Sequence, residues 1–155
     1  MTIQCIFLIN YHNGDNTIAS SPVVEIIMNS QSDWEVTKNS TDRLEALGVT
    51  LKSKMISAHR APDRLDKYVR GARDRGLKVI IAGGGMAAAL PGSAATITPL
   101  PVFGVPLEGK TMGGAGRHIG HDKTPCGSPV GTLGLGKAGA VNSAMFAYAI
   151  VVLST

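Results

Sequence analysis

Short apolar segments alternate with helical patterns along most of this chain, and this alternation constrains the fold more than any other feature. Apolar runs and alternating patterns rich in β-branched residues predict strands; they occupy residues 22–28, 49–56, 77–82, 101–105 and 129–133. Because helical patterns separate the first three strands and another follows the last, the strands are expected to run parallel with helices packed on the sheet. The sequence therefore predicts an α/β protein with a doubly wound parallel sheet.

Polar residues, glycines and a proline mark the ends of the first two helices. Ser30 or Ser32 can cap the first helix, and Gly48 ends it. Pro62 suits the first turn of the second helix, because its missing N–H has no helical partner there in any case. Gly76 is predicted to end that helix.

The chain is most simply one domain, since 155 residues suffice for a single core. Residues 1–20 combine an apolar start with turn-prone residues and are interpreted as a leader of unknown role, which leaves residues 21–155 as the domain. The closing helix, predicted over residues 138–153, has little polar face and should be buried in the fold or in an assembly. Only 17% of the residues are charged, which fits an oligomer that hides part of each surface.

The charge pattern argues against a nucleic-acid-binding protein, although the net charge is +4. Lysines and arginines of residues 60–78 are interleaved with aspartates on the outer face of the second helix, which is typical of a solvated surface. Residues 1–10 lack the basic start and cleavage site of a signal peptide. The apolar stretch 138–153 is too short and too interrupted for a membrane span. With Cys5 and Cys126 far apart, a reduced cytoplasmic setting fits best.

Polar or glycine-rich segments follow each of the first three predicted strands. They cover residues 29–34, 57–63 and 82–92. Loops that follow parallel strands gather at the carboxyl edge of the sheet, where ligands of open α/β proteins bind. The sequence therefore favours an enzyme acting on a small molecule.

His59 is the candidate general acid and base, because imidazole titrates near neutral pH and can take and return a proton in one turnover. The alternative is a hydrogen-bonded loop histidine without a catalytic role. His12, His118 and His121 are weaker candidates. The last two have helical i, i+3 spacing, but no acidic or cysteine ligands complete a metal site, so none is predicted.

Arg60 offers a planar guanidinium suited to a phosphate, beside the helix start at Pro62, which also favours an anion. The alternative is a surface salt bridge from Arg60 to Asp63 or Asp66.

The cluster Ser30, Ser32 and Asp33 could hold a phosphate and ribose hydroxyls, or it could simply cap the first helix. The two interpretations are compatible. The run Gly83–Gly85 permits close approach of a ligand to the backbone, although a tight turn explains it equally well. Residues 131–138 nearly match a phosphate-binding P-loop, but Ala138 stands where the magnesium-binding hydroxyl is needed, so that function is rejected.

Taken together and in order, these segments resemble the PurE family of N5-carboxyaminoimidazole ribonucleotide mutases, from residue 23 to residue 153. The motifs that carry the resemblance are residues 30–34, 57–63, 79–83, 90–92, 101–106, 129–133 and 136–140. The last of these also accounts for the near P-loop.

The resemblance implies a three-layer αβα sandwich of flavodoxin-like type that forms a cytoplasmic homo-octamer and needs no metal or organic cofactor. It implies an isomerase of de novo purine biosynthesis, which moves a carboxylate from the exocyclic nitrogen to C4 of the imidazole by decarboxylation and recarboxylation. His59 would be the general acid and base, Arg60 and Ser30 would bind phosphate, and Asp33 would bind ribose. The implied substrate-binding positions are Ser30, Ser32, Asp33, Ser57, Ala58, Arg60, Gly83, Gly84, Gly85, Ala88 and Leu90.

Four departures from the family pattern leave alternatives open. Asn29 and Met86 stand where the family has glycine, Ala89 replaces a histidine, and residues 107–124 are unusually rich in glycine. A PurE-like protein that binds a nucleotide without catalysis is therefore one alternative. A carboxylase that takes free carbon dioxide is another, although that class more often has a lysine where this chain has Arg60.

Overall fold

A five-stranded parallel sheet forms the centre of the computed structural model, which describes residues 21–84, 89–107 and 124–155. The strand order is β2-β1-β3-β4-β5, and every neighbouring pair is parallel. The strands are β1 (Val24–Met28), β2 (Leu51–Met55), β3 (Val79–Gly84), β4 (Val102–Pro106) and β5 (Gly131–Thr132). All five predicted strands are present, and β5 is shorter than predicted.

Four α-helices connect or follow the strands within the described residues. They are α1 (Trp34–Ala46), α2 (Pro62–Arg70), α3 (Ala89–Ala95) and α4 (Gly136–Leu153). Gly48, which was expected to end α1, has a left-handed φ of +73°. The predicted end of the second helix at Gly76 was wrong, because α2 stops at Arg70 and turns fill the interval. The closing helix begins two residues earlier than predicted.

The two faces of the sheet have separate hydrophobic cores, which confirms the three-layer sandwich. On one face, α1 and α4 pack over Val24 and Ile26. On the other face, α2 and α3 pack over Ile27 and Ile80. Residues of one strand supply both cores because successive side chains of a strand point to opposite faces.

Helix α4 packs one side against α1, where the hydroxyl of Ser40 donates a hydrogen bond to the carbonyl of Ala140 at 2.8 Å. Its other side is more open, and the Phe146 side chain is 56% exposed. By length and composition alone, α4 could cross a membrane, contrary to the sequence-based expectation that this stretch is too short. The hydroxyl contact and the buried Ala144 and Ala147 fit a core helix of the sandwich instead.

A cluster of polar and charged side chains around the buried Glu25 joins β1 to the α2 region on the second face. Glu25 is only 2% exposed, and it accepts hydrogen bonds from the Tyr68 hydroxyl and, at 3.3 Å, from Arg75 Nη2. The ammonium of Lys54 lies 3.8 Å from the centre of the Tyr68 ring. Burial and the hydrogen bond to Glu25 raise the pKa of the Tyr68 phenol. Partial burial lowers the pKa of Lys54.

Candidate active site

The register of the sheet brings the predicted site segments to one edge. Met28, at the end of β1, pairs with Met55 of β2 and with Gly83 of β3. The polar residues that follow β1 and β2 therefore emerge side by side, next to the glycines that end β3. This is the carboxyl edge, where ligands of such sheets bind.

The turn after β1 is held by its own hydrogen bonds. The N–H of Ser30 donates to Asp33 Oδ2 at 3.0 Å, and the N–H of Asp33 donates to the Ser30 carbonyl at 3.1 Å. The hydroxyls of Ser30 and Ser32 are 2.8 Å apart. Asp33 is only 6% exposed, and of its two carboxylate oxygens only Oδ2 has a hydrogen-bond partner in the described chain. Ser30 therefore caps a 3-10 turn (Gln31–Asp33) that leads into α1, whereas the residue that caps α1 itself is Asp33 and neither of the predicted serines. The turn still leaves a carboxylate oxygen and two hydroxyls for a ligand.

The loop after β2 carries the predicted acid–base residue on an exposed backbone. The N–H of Arg60 donates to Ser57 Oγ at 3.2 Å, and the N–H of Ala61 donates to the Ser57 carbonyl at 3.1 Å. The N–H of Ala58 donates to Oδ1 of Asn29 at 3.1 Å, across to the turn after β1. The side chains of His59 and Arg60 are exposed and have no hydrogen-bond partner among the described residues.

The surface salt bridge considered for Arg60 does not form in the described structure. Asp66 instead pairs with Arg70, at 2.7 Å between Asp66 Oδ2 and Arg70 Nε. That ion pair lowers the pKa of the Asp66 carboxyl and raises the pKa of Arg70. Arg60 therefore remains available to an anion beside the N-terminus of α2.

The glycines that end β3 are explained first by packing. A Cβ on Gly83 would overlap the Cγ2 atom of Thr37, on α1. Gly84 accepts a backbone hydrogen bond from Leu107 at 3.3 Å. Leu90 is a residue of α3 and is fully buried, so its side chain packs in the core between α3 and the sheet. Gly85, Met86 and Ala88 lie outside the described residues, as do His12, His118 and His121.

The segment that resembles a P-loop is likewise explained by close packing. A Cβ on Gly139, in the first turns of α4, would overlap the carbonyl of Gly134. Gly136 has a left-handed φ of +65°. These glycines allow the chain to turn tightly from β5 into α4, which accounts for them by packing alone.

No metal-binding group of three or more histidine, cysteine, aspartate or glutamate side chains occurs in residues 21–84, 89–107 and 124–155. A groove of about 450 Å³ runs between α2 and α3, beside the loop after β2. Of the predicted site residues, Ala58 alone lines it, so the groove flanks the candidate site and does not contain it.

Asn29 is the residue whose part in the site the sequence did not predict. In the sequence it stood out only as a departure from a family pattern. An asparagine directly after a strand, able to hydrogen-bond neighbouring backbone, was the available signal. Its partner could not be predicted, because that depends on the pairing of β1 with β2.

Comparisons with known proteins agree on one family. The sequence model of the AIR carboxylase family, described as AIR carboxylase, matches residues 23–155. A Brucella melitensis protein named N5-carboxyaminoimidazole ribonucleotide mutase is 53% identical over 130 residues, which are 84% of this chain and 80% of that protein. A Bacillus subtilis protein of the same name is 48% identical, with the same shares of each chain. The crystal structure of Treponema denticola PurE shares the fold, with a TM-score of 0.76 and 21% identity over 86% of this chain and 82% of that one.

Proposed function

The chain belongs to the AIR carboxylase family, and we propose that His59 and the loops around it carry out its reaction. Its activity is that of an N5-carboxyaminoimidazole ribonucleotide mutase. The enzyme is an isomerase, and the reaction serves purine biosynthesis. The observation that carries the proposal is the meeting of the two polar loops at one sheet edge, bridged by the Asn29–Ala58 hydrogen bond.

His59 moves one proton in this mechanism. The bond from the exocyclic nitrogen to the carboxylate carbon breaks, carbon dioxide leaves, and the nitrogen takes a proton from the His59 imidazolium. C4 of the imidazole ring then forms a bond to the carbon dioxide, and the C4 proton passes to His59. The net change moves the carboxylate from nitrogen to carbon and the proton from carbon to nitrogen, and it restores His59 to its starting form.

The other site residues bind and orient the ribonucleotide. Arg60 is an exposed cation beside the N-terminus of α2, an arrangement that favours the substrate phosphate. The serine hydroxyls of the turn after β1 add hydrogen bonds to the phosphate. Asp33 accepts from the ribose hydroxyls through the oxygen that the turn leaves unused. Because the turn is already folded, little ordering is required when the ribose binds.

The test is turnover of N5-carboxyaminoimidazole ribonucleotide by the purified protein, with His59→Asn as the matched control. Asparagine keeps a hydrogen-bonding side chain but cannot exchange a proton at neutral pH. We expect His59→Asn to lower turnover by about 10²–10⁴-fold, the range that general acid–base groups supply, while substrate binding persists. Turnover unchanged in that variant would remove His59 from the mechanism.

The same assay separates the two alternatives. A carboxylase would form product from aminoimidazole ribonucleotide and dissolved carbon dioxide faster than from the N-carboxylated substrate. A protein that binds the nucleotide without catalysis would show binding but no product with either substrate. In that case, the first variants to make would restore the family's residues at Ala89 and in residues 107–124.

The quaternary structure proposed for this enzyme is a homo-octamer. The open side of α4 supports burial against another copy, since Phe146 is 56% exposed and its ring lies 5.8 Å from that of Phe103. Light scattering should give eight times the 16.1 kDa chain mass, and Phe146→Glu should shift the mass towards smaller species. A cytoplasmic location is proposed as well, in keeping with the exposed free thiol of Cys126, and cell fractionation would test it.

A further inference from the structure

Among the residues that the structure describes, one side chain, that of Asn29, joins the loop that carries His59 to the rest of the site. Within the described chain, residues 57–60 make one hydrogen bond to a residue outside their own loop and helix, from the Ala58 N–H to Oδ1 of Asn29 at 3.1 Å. The other bonds of the loop run from Arg60 and Ala61 back to Ser57. These local bonds shape the loop but do not fix its position against the sheet.

Asn29 is well placed to fix that position. It directly follows β1, the strand that lies between β2 and β3, and it is half-buried. The preceding residue, Met28, accepts the backbone N–H of Ile56 at 2.8 Å, so the chain on both sides of the contact is already in register. Ala58 immediately precedes His59, so holding its amide restrains the backbone on which the imidazole is mounted.

We infer that Asn29 is a positioning residue for the mutase reaction, which holds the His59 loop at its working distance from the turn that binds the ribonucleotide. This inference rests on the proposed function. Proton transfer requires the imidazole within hydrogen-bond reach of the reacting atoms, and a displacement of about 1 Å can lower the rate about 100-fold. The Ala58 N–H donates to Asn29 and so is not offered to the substrate. The contribution of this hydrogen bond to the site is therefore to the geometry of the loop.

Two variants separate the hydrogen bond from the charge at this position. Asn29→Ala removes the acceptor, and we expect kcat to fall about 10–100-fold while KM changes less than about threefold. Asn29→Asp keeps an acceptor oxygen, so kcat should stay within about threefold of the original enzyme. Its carboxylate repels the anionic substrate, so KM should rise by about tenfold. A residue with a purely structural role would not divide kcat and KM in this way.

The matched control is Asn39→Ala, the same substitution on α1, away from the site. Asn39 Nδ2 donates to the carbonyl of Val36 at 2.9 Å, so this variant also loses a side-chain hydrogen bond to backbone. We expect its kcat and KM to equal those of the original enzyme. If Asn39→Ala lowered kcat as much as Asn29→Ala, the effect would be one of general stability and the inference would fail.

Hydrogen exchange of the segment containing Ala58, followed by mass spectrometry, tests the positioning without relying on turnover. The exchange of this segment should be at least about tenfold faster in Asn29→Ala and nearly unchanged in Asn29→Asp. Unchanged exchange in Asn29→Ala, or an equal loss of kcat in both Asn29 variants, would overturn the inference. If the original protein showed no turnover at all, the proposed function would fail, and the exchange result would still decide whether Asn29 holds the loop.

Discussion

The turn after β1 and the loop after β2 lie side by side at one edge of the sheet, yet they are built differently. The turn has its carboxylate buried and hydrogen-bonded to its own first residue. The loop exposes both of its candidate functional side chains, His59 and Arg60, and its shape is set by hydrogen bonds from its backbone to Ser57. In the proposed mechanism, the ribose-binding carboxylate would thus be in place before the substrate arrives, whereas the imidazole would face solvent until the substrate binds.

The largest expected effect is the difference in stability and in KM between the variants Asp33→Ala, in the turn, and Arg60→Ala, in the loop. Asp33→Ala leaves the Ser30 N–H without its partner, so it should lower the free energy of unfolding by about 1–3 kcal/mol and also raise KM. Arg60→Ala removes an exposed cation, so it should raise KM about 10–100-fold and change stability by less than about 0.5 kcal/mol. Urea unfolding and steady-state kinetics of both variants measure the contrast. Equal destabilisation by the two variants would show that the loop is as firmly built as the turn.

A smaller effect on stability should come from the contact between Thr37 and Gly83, which supports the turn after β1. Thr37 donates its hydroxyl to the Asp33 carbonyl at 2.9 Å, and its methyl group occupies the space in front of Gly83. Gly83→Ala should therefore lower the free energy of unfolding by about 1–3 kcal/mol through overpacking. Thr37→Ser keeps the hydroxyl and removes the methyl group, so the double variant should recover most of that loss.

A double-mutant cycle measured by urea unfolding gives the coupling between the two positions. If the changes in free energy of unfolding from Gly83→Ala and Thr37→Ser were additive, the Thr37 side chain would accommodate the added Cβ without strain. The turn would then not be supported by contact with β3. Thr37→Ser alone serves as the control, since it retains the hydrogen bond to Asp33.

The smallest expected effect concerns the support behind the loop after β2, where Tyr68 of α2 is bonded to Glu25 of β1. The fold raises the pKa of Tyr68, so the unfolded chain loses the phenol proton first as the pH rises. The stability that this bond supplies is therefore fully present below about pH 10, the ordinary tyrosine pKa, and is lost above it. The advantage of the original protein over Tyr68→Phe in free energy of unfolding should be constant below about pH 10 and shrink progressively as the pH rises above that value. An advantage independent of pH would show that Tyr68 acts through packing alone.

The strands were predictable because their apolar runs are short and strongly patterned, and the start of α2 at Pro62 was predictable because helix-start chemistry is local. Ser30 instead caps a 3-10 turn over Gln31–Asp33, and α1 begins only at Trp34. Helix α3 was missed, since Pro91 and Gly92 are poor helix formers. It forms because Leu90 and Ala94, both fully buried, are held in the core over the sheet. Tertiary packing there overrides local propensity.

Of the candidate site, the sequence predicted where the residues lie along the sheet edge, but not the contacts between them. His59 and Arg60 were identified from residue type and from a strand end, and the structure places them at the expected edge. The bond from Asn29 to Ala58 depends on the register of β1 with β2, and helix α1 separates these two strands in the sequence. The pairing of Glu25 with Arg75, 50 residues apart, was unpredictable for the same reason.

The order of the strands also bears on how copies of the chain can join. In the described chain, one edge of the sheet is β2, whose Lys52 is exposed and charged, and the other is β5, with only two residues in the ladder. A charged or very short edge strand is a poor template for adding another strand. Continuous sheets and fibrils across molecules are thereby disfavoured, so ordered self-association is directed to the helical faces.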